Sequence, residues 1–574
     1  MRVTKQSLNQ VIDDEFWKAV TLDSGFMDVH QFKDINKSEL IDMISEKLFD
    51  HSYSFKNPIE IFSPKSMGIL RKKELFHIDD VCIYYYCVKL IQDQIIETIK
   101  LNKNVFGAFR MTKELSYRNI KSSKAPTIEK SDDADDEISD YESVLAKDAF
   151  KKDWNEFQDV AEELFDKEYD LYINLDVAHF YNDINLDVLE RQVRAVTQGK
   201  SDIVDLLFYL LRNYRKGEYG FYQSGRSLPQ NDIGEMSRLL ANLYLSVFDT
   251  AVVGRLNKLL KEDQYEYTRY SDDLWIAIKG DKDTAFKVIQ IVSFELSRVE
   301  LFINEGKMKI LTRSEFGEYW CFEVWKKIFE LKNKPESKQS DWMEIVDITV
   351  KMSSNKKTSD YRWFSPQLYA LKVISSFPQP EKFFNSANKA AKILNIILGA
   401  ERNLEKSNSS IINLVFLLIK KYPHFRSKID KLIGGSIYPS MEYFAIKISI
   451  GLDGPNKNME TFERYSKMYL SSYANKWQWY SRCLILRFVA DHASLIDGVD
   501  LNQTSRGIDS DNITEKIIKQ FENNRHNTNY IERRYQIYFL KRFSNIIGRD
   551  RIESNIEGYF EKSLWRALNT PRVN

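Results

Sequence analysis

Three carboxylates stand out for what they could do together. Asp176 closes the apolar run YDLYINLD, and Asp272 and Asp273 follow Tyr270-Ser271 between the β-favouring runs YEYTRY and LWIAIK. Phosphoryl transfer from a nucleoside triphosphate uses two divalent ions about 3.5–4 Å apart that clamp the attacking and departing oxygens. Magnesium is hard, prefers oxygen ligands and keeps several waters, so a few carboxylates suffice. Asp176 on one strand end and Asp272 on a neighbouring hairpin can share both ions, with Asp273 as a further ligand or an orienting neighbour. Taken alone, the Tyr-Ser-Asp-Asp fragment reads more simply as an ordinary acidic turn.

The elements that must position these groups follow from periodicity. From Phe150 to about Trp325, helical periods (WNEFQDVAEELF, VDLLFYLLRNY, MSRLLANLYLSVFD) alternate with short strand-like runs. That alternation predicts an α+β domain with an antiparallel sheet, the two carboxylates at a hairpin tip. Residues 1–55 read as short helices. An extended segment from Pro58 precedes a long apolar helix, VCIYYYCVKLIQDQIIETI. A polar stretch at about 121–140 follows, with six acidic residues between Ser131 and Asp140, and reads as a solvated insertion. Beyond about Glu330, amphipathic helices succeed one another. Pro378 and Pro423 lie 45 residues apart, within the length of a HEAT-type repeat. An α-helical array is expected over 326–574, an irregular helical bundle being the alternative.

Three motifs now stand in order: YDLYINLDVAHFYNDI, RSLPQNDIGEMSRLLANLYL and YTRYSDDLWIAI. Upstream lie Ser63-Pro64-Lys65-Ser66 and Arg71; downstream lies LFINEGKMKIL, with Asn304 and Lys307. This order resembles palm motifs A, B and C of reverse transcriptases, preceded by a fingers segment and followed by the motif of Asn, two spacers and Lys. The resemblance implies fingers and palm over 56–325. It implies Asp176, Asp272 and Asp273 as catalytic metal ligands for two Mg2+ ions, which Mn2+ can replace. Lys65, Arg71, Tyr181, Gln230 and Lys307 would contact the nucleotide, with Lys307 near the pyrophosphate leaving group. Tyr181, five residues after Asp176, stands where a bulky ring would block a ribose 2′-OH, so deoxynucleotides are the expected substrates. The alternative reading of Tyr181 is a buried palm aromatic.

The combination of these motifs with helices after the palm most resembles the abortive-infection reverse transcriptases and related bacterial phage-defence groups. What this implies is a DNA polymerase that extends deoxynucleotides without a conventional template. It implies a tyrosine hydroxyl as primer, single-stranded DNA product attached to the protein, a homo-oligomer, and arrest of the infected cell. An RNA-templated enzyme with a partner non-coding RNA is the alternative, and a non-catalytic nucleic-acid scaffold a third reading. Tyr84, Tyr85 and Tyr86 read as core residues rather than primers; Tyr141, beside the acidic stretch, is the alternative primer. One departure is plain. Leu228-Pro229-Gln230 is followed by Asn231 where such enzymes carry glycine, which adds a side chain where backbone would approach a template base.

Bulk composition bounds these readings. The 574 residues carry 83 Lys plus Arg and 83 Asp plus Glu, a net charge of zero. A non-specific nucleic-acid binder usually shows a basic excess, so any nucleic-acid path must be a local groove. The four cysteines match no zinc module and read as reduced core thiols. The N-terminus MRVTKQSLNQVIDDEFWKAV has no signal-like apolar stretch. Ile411–Ile419, the strongest apolar run, is too short to span a membrane. The expected compartment is the cytoplasm, with no membrane contact.

Overall fold

Alternation writes the central sheet. In the run ending at Asp176, Tyr172, Asn174 and Asp176 share one face, and Leu171, Ile173 and Leu175 the other. The computed structural model describes residues 3–18, 20–21, 34–64, 70–99, 104–108, 111, 147–214, 226–230, 234–334, 336–354, 364–382, 384–399, 409–435, 439–453, 459–472, 479–491, 510–523 and 529–569. The acidic stretch at 121–140, with Tyr141, lies outside them, as do Lys65 and Asn231. The strands are β1 (Ile59–Pro64), β2 (Leu70–Leu75), β3 (Val105–Phe106), β4 (Leu171–Asp176), β5 (Tyr265–Tyr270), β6 (Asp273–Ile278) and β7 (Lys309–Thr312). β1 and β2 pair with each other. The other five form one sheet in the order β3-β5-β6-β4-β7, antiparallel throughout except where β3 runs parallel to β5.

Helices cover both faces of this sheet; the helix Lys147–Asp166 is one that the sequence periods predict, whereas Lys282–Arg298 and Arg313–Trp320 are not among them. On the Tyr172 face, Phe316 stacks on Tyr172 at 4.1 Å and meets Trp275 edge-on at 5.1 Å. Phe157, Ala161 and Leu164 of the helix Lys147–Asp166 complete that aromatic layer. Gly317, in the helix Arg313–Trp320, lets this packing close: a Cβ there would stand 2.8 Å from Phe165 Cε2. On the other face, Ile173, Leu175, Leu274, Ile276 and Ile278 are buried. The helix Lys282–Arg298 turns Ala285, Val288, Val292 and Leu296 inward at helical spacing, and Asp281 caps it by accepting from Thr284 N at 2.9 Å.

The helix Glu235–Leu259 is long and apolar enough to cross a membrane on length and composition alone, but 67% of that window is buried inside the fold, as in a core helix. Tyr84, Tyr85 and Tyr86, on the helix Ile78–Ile99, are all buried. Tyr85 stacks on Phe16 at 3.9 Å, and Tyr86 shares a hydrogen bond with Ser7. Cys82, Cys87, Cys321 and Cys483 are buried thiols that form no disulfide.

The chain divides into two compact units. The first comprises Met1–Val20, Ile41–Pro58 and Lys73–Phe377; the second comprises Thr21–Leu40, Ile59–Lys72 and Pro378–Asn574. The described residues of the second unit beyond Pro378 are helical or connect helices. Their core gathers Phe462, Tyr465, Tyr469, Leu486, Phe521, Ile537 and Leu540. A fork of Arg482 to Glu532, at 2.5 and 2.9 Å, is sealed within it. Two segments distant in sequence belong to this unit: Trp479 Nε1 donates to the Glu60 carbonyl at 3.2 Å, and Arg534 pairs with Asp34.

Candidate active site

The carboxylates meet at one end of the sheet. Asp176 and Asp273 are direct partners across β4 and β6, and Tyr270 partners Asp273 across β5 and β6. Ser271 and Asp272 therefore form a two-residue hairpin loop. Ser271 has φ +55°, the left-handed value that the primed turns of such hairpins require at their first central residue. Val177 N donates to the Asp272 carbonyl at 3.2 Å, which holds the loop against the end of β4.

Asp176 and Asp273 each have neutral or cationic donors beside them. Asp176 Oδ2 accepts from Asn304 Nδ2 at 3.0 Å, and Asp176 Oδ1 from Lys307 Nζ at 2.8 Å. Asn304 N also donates to the Asp176 carbonyl at 2.7 Å, so the segment carrying Asn304 and Lys307 is tied to β4 twice. Asp273 Oδ1 accepts from Asn174 Nδ2 at 2.7 Å. Among the described residues, no three His, Cys, Asp or Glu side chains are already drawn together at metal-holding separation. The donor set nonetheless fits a hard divalent cation: three carboxylates from two adjacent chain segments, part-exposed, with the Lys307 ammonium on Asp176 marking where positive charge is stabilised.

A second group of hydrogen bonds fixes the Leu-Pro-Gln loop. Leu228 N donates to the Tyr181 carbonyl at 2.8 Å, joining the Leu-Pro-Gln loop to the turn after β4. Ser237 Oγ donates to the Pro229 carbonyl at 2.6 Å, and the Tyr84 hydroxyl lies 2.9 Å from Ser237 Oγ. A carbonyl only accepts, so Tyr84 donates to Ser237. Burial pushes the Tyr84 hydroxyl well above its ordinary range, a Ser237 bond opposing it in part, so it keeps its proton. Glu74 N donates to the Gln230 carbonyl at 2.8 Å. Tyr181 and Gln230 are both half-buried, and Tyr181 is close enough to influence the Tyr84 hydroxyl electrostatically.

Of the residues expected from sequence, the first unit brings together Asp176, Asp272, Asp273 and Lys307, and joins Tyr181 to the Gln230 loop. Arg71 is exposed on β2; Lys65 lies outside the described residues. Sequence reasoning missed Asn174 and the buried group behind the hairpin: Arg269, Asp249 and Asn242. The signal was present. Arg269 alternates onto the buried face of β5, and Asn242 and Asp249 sit seven residues apart on one side of the helix Glu235–Leu259.

Comparison with known proteins gives one family match. Residues 102–344 match the family described as reverse transcriptase (RNA-dependent DNA polymerase). No curated protein matches the chain. The solved structure of apo telomerase from Candida Tropicalis is similar at 13% identity, over 71% of this chain and 73% of that one, with a TM-score of 0.29; so low a score carries no argument. The chain carries a reverse-transcriptase domain and is a nucleotidyltransferase of the reverse transcriptase/DNA polymerase kind.

Proposed function

We propose that this nucleotidyltransferase is a DNA polymerase of antiphage defence by abortive infection. It joins deoxynucleotides without a template and begins on a tyrosine hydroxyl of its own chain. The observation that carries the polymerase reading is the direct pairing of Asp176 with Asp273 beside the Ser271-Asp272 turn. The defence reading rests on the motif order from Ser63 to Lys307 and on the run of helices beyond the palm, read as a HEAT-like array. Zero net charge supports untemplated synthesis, because a long template–primer duplex demands many phosphate contacts. The description of the matched family as RNA-dependent favours a second reading, an RNA-templated enzyme with a partner RNA.

Asp176, Asp272 and Asp273 would hold two Mg2+ ions. Such ions, when bound, lower the pKa of an attacking hydroxyl and neutralise the charge that develops on the phosphate. The chain's own residues do the remainder. Asn174 fixes the Asp273 carboxylate and Asn304 fixes that of Asp176, so neither must be ordered at the moment of reaction. Lys307 sits on Asp176 and would place its positive charge beside a leaving group there. Tyr181, anchored through its carbonyl to Leu228, excludes the ribose 2′-OH.

The test uses purified protein, Mg2+ and labelled dNTPs without added nucleic acid, beside an Asp272→Ala control. Products are run on denaturing gels before and after protease. Label held by the protein until digestion, and absent from the control, is expected. Synthesis only with added RNA would replace this reading with the RNA-templated one. We also propose that the chain forms a homo-oligomer, as the resemblance implies; a monomeric particle mass at working concentration would overturn this.

A further inference from the structure

The hairpin that carries Asp272 and Asp273 is gripped from behind by a buried charged group. Arg269 is fully buried. Its Nε and Nη2 fork onto Asp249 at 2.8 and 2.7 Å, and its Nη1 donates to Asn242 Oδ1 at 3.0 Å and to the Ser271 carbonyl at 2.5 Å. Burial, the largest influence, would weaken the guanidinium; the Asp249 charge and hydrogen bonds together with Tyr267 more than offset it, so Arg269 stays protonated. The Tyr267 hydroxyl adds a donor to Asp249 at 2.5 Å. A buried ion pair is weak evidence for stability in itself, since packed apolar residues often serve as well. Here one of the five guanidinium donors is spent on the backbone of the turn.

A second hold comes from β3. Ser271 N donates to the Phe106 carbonyl at 3.2 Å. Asn242 Nδ2 donates to the Gly107 carbonyl at 3.0 Å, and Gly107 N donates to Asp153 Oδ2 at 2.5 Å. Gly107 has φ +88°, and a Cβ there would stand 3.2 Å from Ser271 N. So Ser271, itself at positive φ, has its carbonyl held by Arg269 and its amide held by the β3 strand. Both peptide groups flanking its Cα are fixed, and the next residue is Asp272.

We propose that Arg269, with Asp249, Asn242 and Gly107, forms a cradle that sets the Ser271 turn so that Asp272 and Asp273 point where divalent cations bind; these are positioning residues, and the proposal rests on the reading of Asp272 and Asp273 as metal ligands. Arg269→Lys keeps the charge opposite Asp249 but loses the fork, and with it the Ser271 contact. Gly107→Ala leaves every charge in place and pushes on Ser271 N from the other side.

The experiment measures Mn2+ binding to the full chain without nucleotide, from the electron paramagnetic resonance signal of the free ion. Hydrogen exchange of the 265–278 hairpin, cooperative urea unfolding and dNTP incorporation against Mg2+ concentration accompany it. Both variants are expected to unfold cooperatively, to exchange faster at the turn and to need about 10- to 100-fold more metal for half-saturation, the usual loss when a residue orienting a ligand is removed. Saturating Mg2+ should recover part of the incorporation, which a general loss of folding would not allow. Should Arg269→Lys fail to fold, Gly107→Ala decides the matter. Unchanged Mn2+ binding and turn exchange in a folded Gly107→Ala protein overturns the cradle. Asp272→Ala separates the two layers: if it binds Mn2+ and incorporates dNTPs normally, the ligand reading fails, whatever the other variants do.

Discussion

Lys307 Nζ lies 2.8 Å from Asp176 Oδ1, so a side chain of this protein already supplies positive charge to the carboxylate that ends β4. The pair is part-exposed, the Lys307 side chain at 49%. Exposed pairs contribute about 0–1 kcal/mol, so a cation that displaces the ammonium loses at most about five-fold in affinity to it. Lys307→Met should therefore tighten Mn2+ binding in the absence of nucleotide by up to about that factor. It should also slow incorporation, because the positive charge that Lys307 holds at Asp176 is gone. Weaker Mn2+ binding in the variant would mean that Lys307 organises the site rather than competing with the ion.

Tyr181 is bound by its carbonyl to the loop that carries Gln230, so truncating its ring leaves that backbone contact intact. Tyr181→Ala should raise ribonucleotide use with little loss in dNTP turnover. Rejection of one hydroxyl by shape is worth about 1–3 kcal/mol, so the ratio of kcat/KM for dNTP over rNTP should fall roughly 10- to 200-fold. An unchanged ratio places the sugar gate elsewhere.

The relay from Tyr84 through Ser237 to the Pro229 carbonyl predicts an ordering of stabilities. Tyr84→Phe removes one donor and leaves Ser237 on its carbonyl, costing about 0.5–1.5 kcal/mol. Ser237→Ala orphans both the Pro229 carbonyl and the Tyr84 hydroxyl, and should cost more. In the Ser237→Ala background, Tyr84→Phe should be neutral or stabilising, because the hydroxyl left behind has no partner. Urea unfolding of the four proteins measures this; additive losses would show that the two contacts act independently.

What the sequence made legible follows its local physics. Alternation in YDLYINL, YEYTRY and LWIAIK placed β4, β5 and β6 to within about two residues, and the turn residues between Tyr270 and Asp273 placed the hairpin. β3 and β7 were not legible as strands. The first is two residues long, and the second is four residues whose pairing with β4 depends on partners far away in sequence. The Arg269 cradle escaped for the same reason. Its parts come from Gly107, Asp153, Asn242, Asp249 and Arg269, and although polar residues on buried faces gave a signal, none by itself points to the turn. Only their meeting behind Ser271 gives them a common purpose.

The cluster at the start of the helix Ile78–Ile99 makes the last prediction, in which two buried groups oppose each other. Asp80 accepts from the Tyr53 hydroxyl at 2.7 Å and from Lys56 N at 3.1 Å. Burial and then the neighbouring Asp79 charge push its carboxyl up to about 7. His77 is held down to about 3 by burial and then by the Lys56 charge. For Asp80 the folded value lies above the unfolded one, so its stabilising contribution is full below about pH 4 and is lost as pH rises towards 7. For His77 the folded value lies below the unfolded 6.5, so its contribution is full above that pH and is lost as pH falls towards 3. Between about pH 4 and 6.5 the two slopes are equal and opposite, each worth about 1.4 kcal/mol per pH unit. Wild-type stability should be nearly flat across that window on their account. Asp80→Asn keeps both hydrogen bonds, since the Tyr53 hydroxyl can turn to accept. It should unmask the His77 slope, with stability rising as pH rises. His77→Gln should unmask the Asp80 slope, with stability falling as pH rises. Urea unfolding from pH 4 to 7 compares the three proteins, and parallel curves for all of them would mean that neither group titrates abnormally in the folded chain.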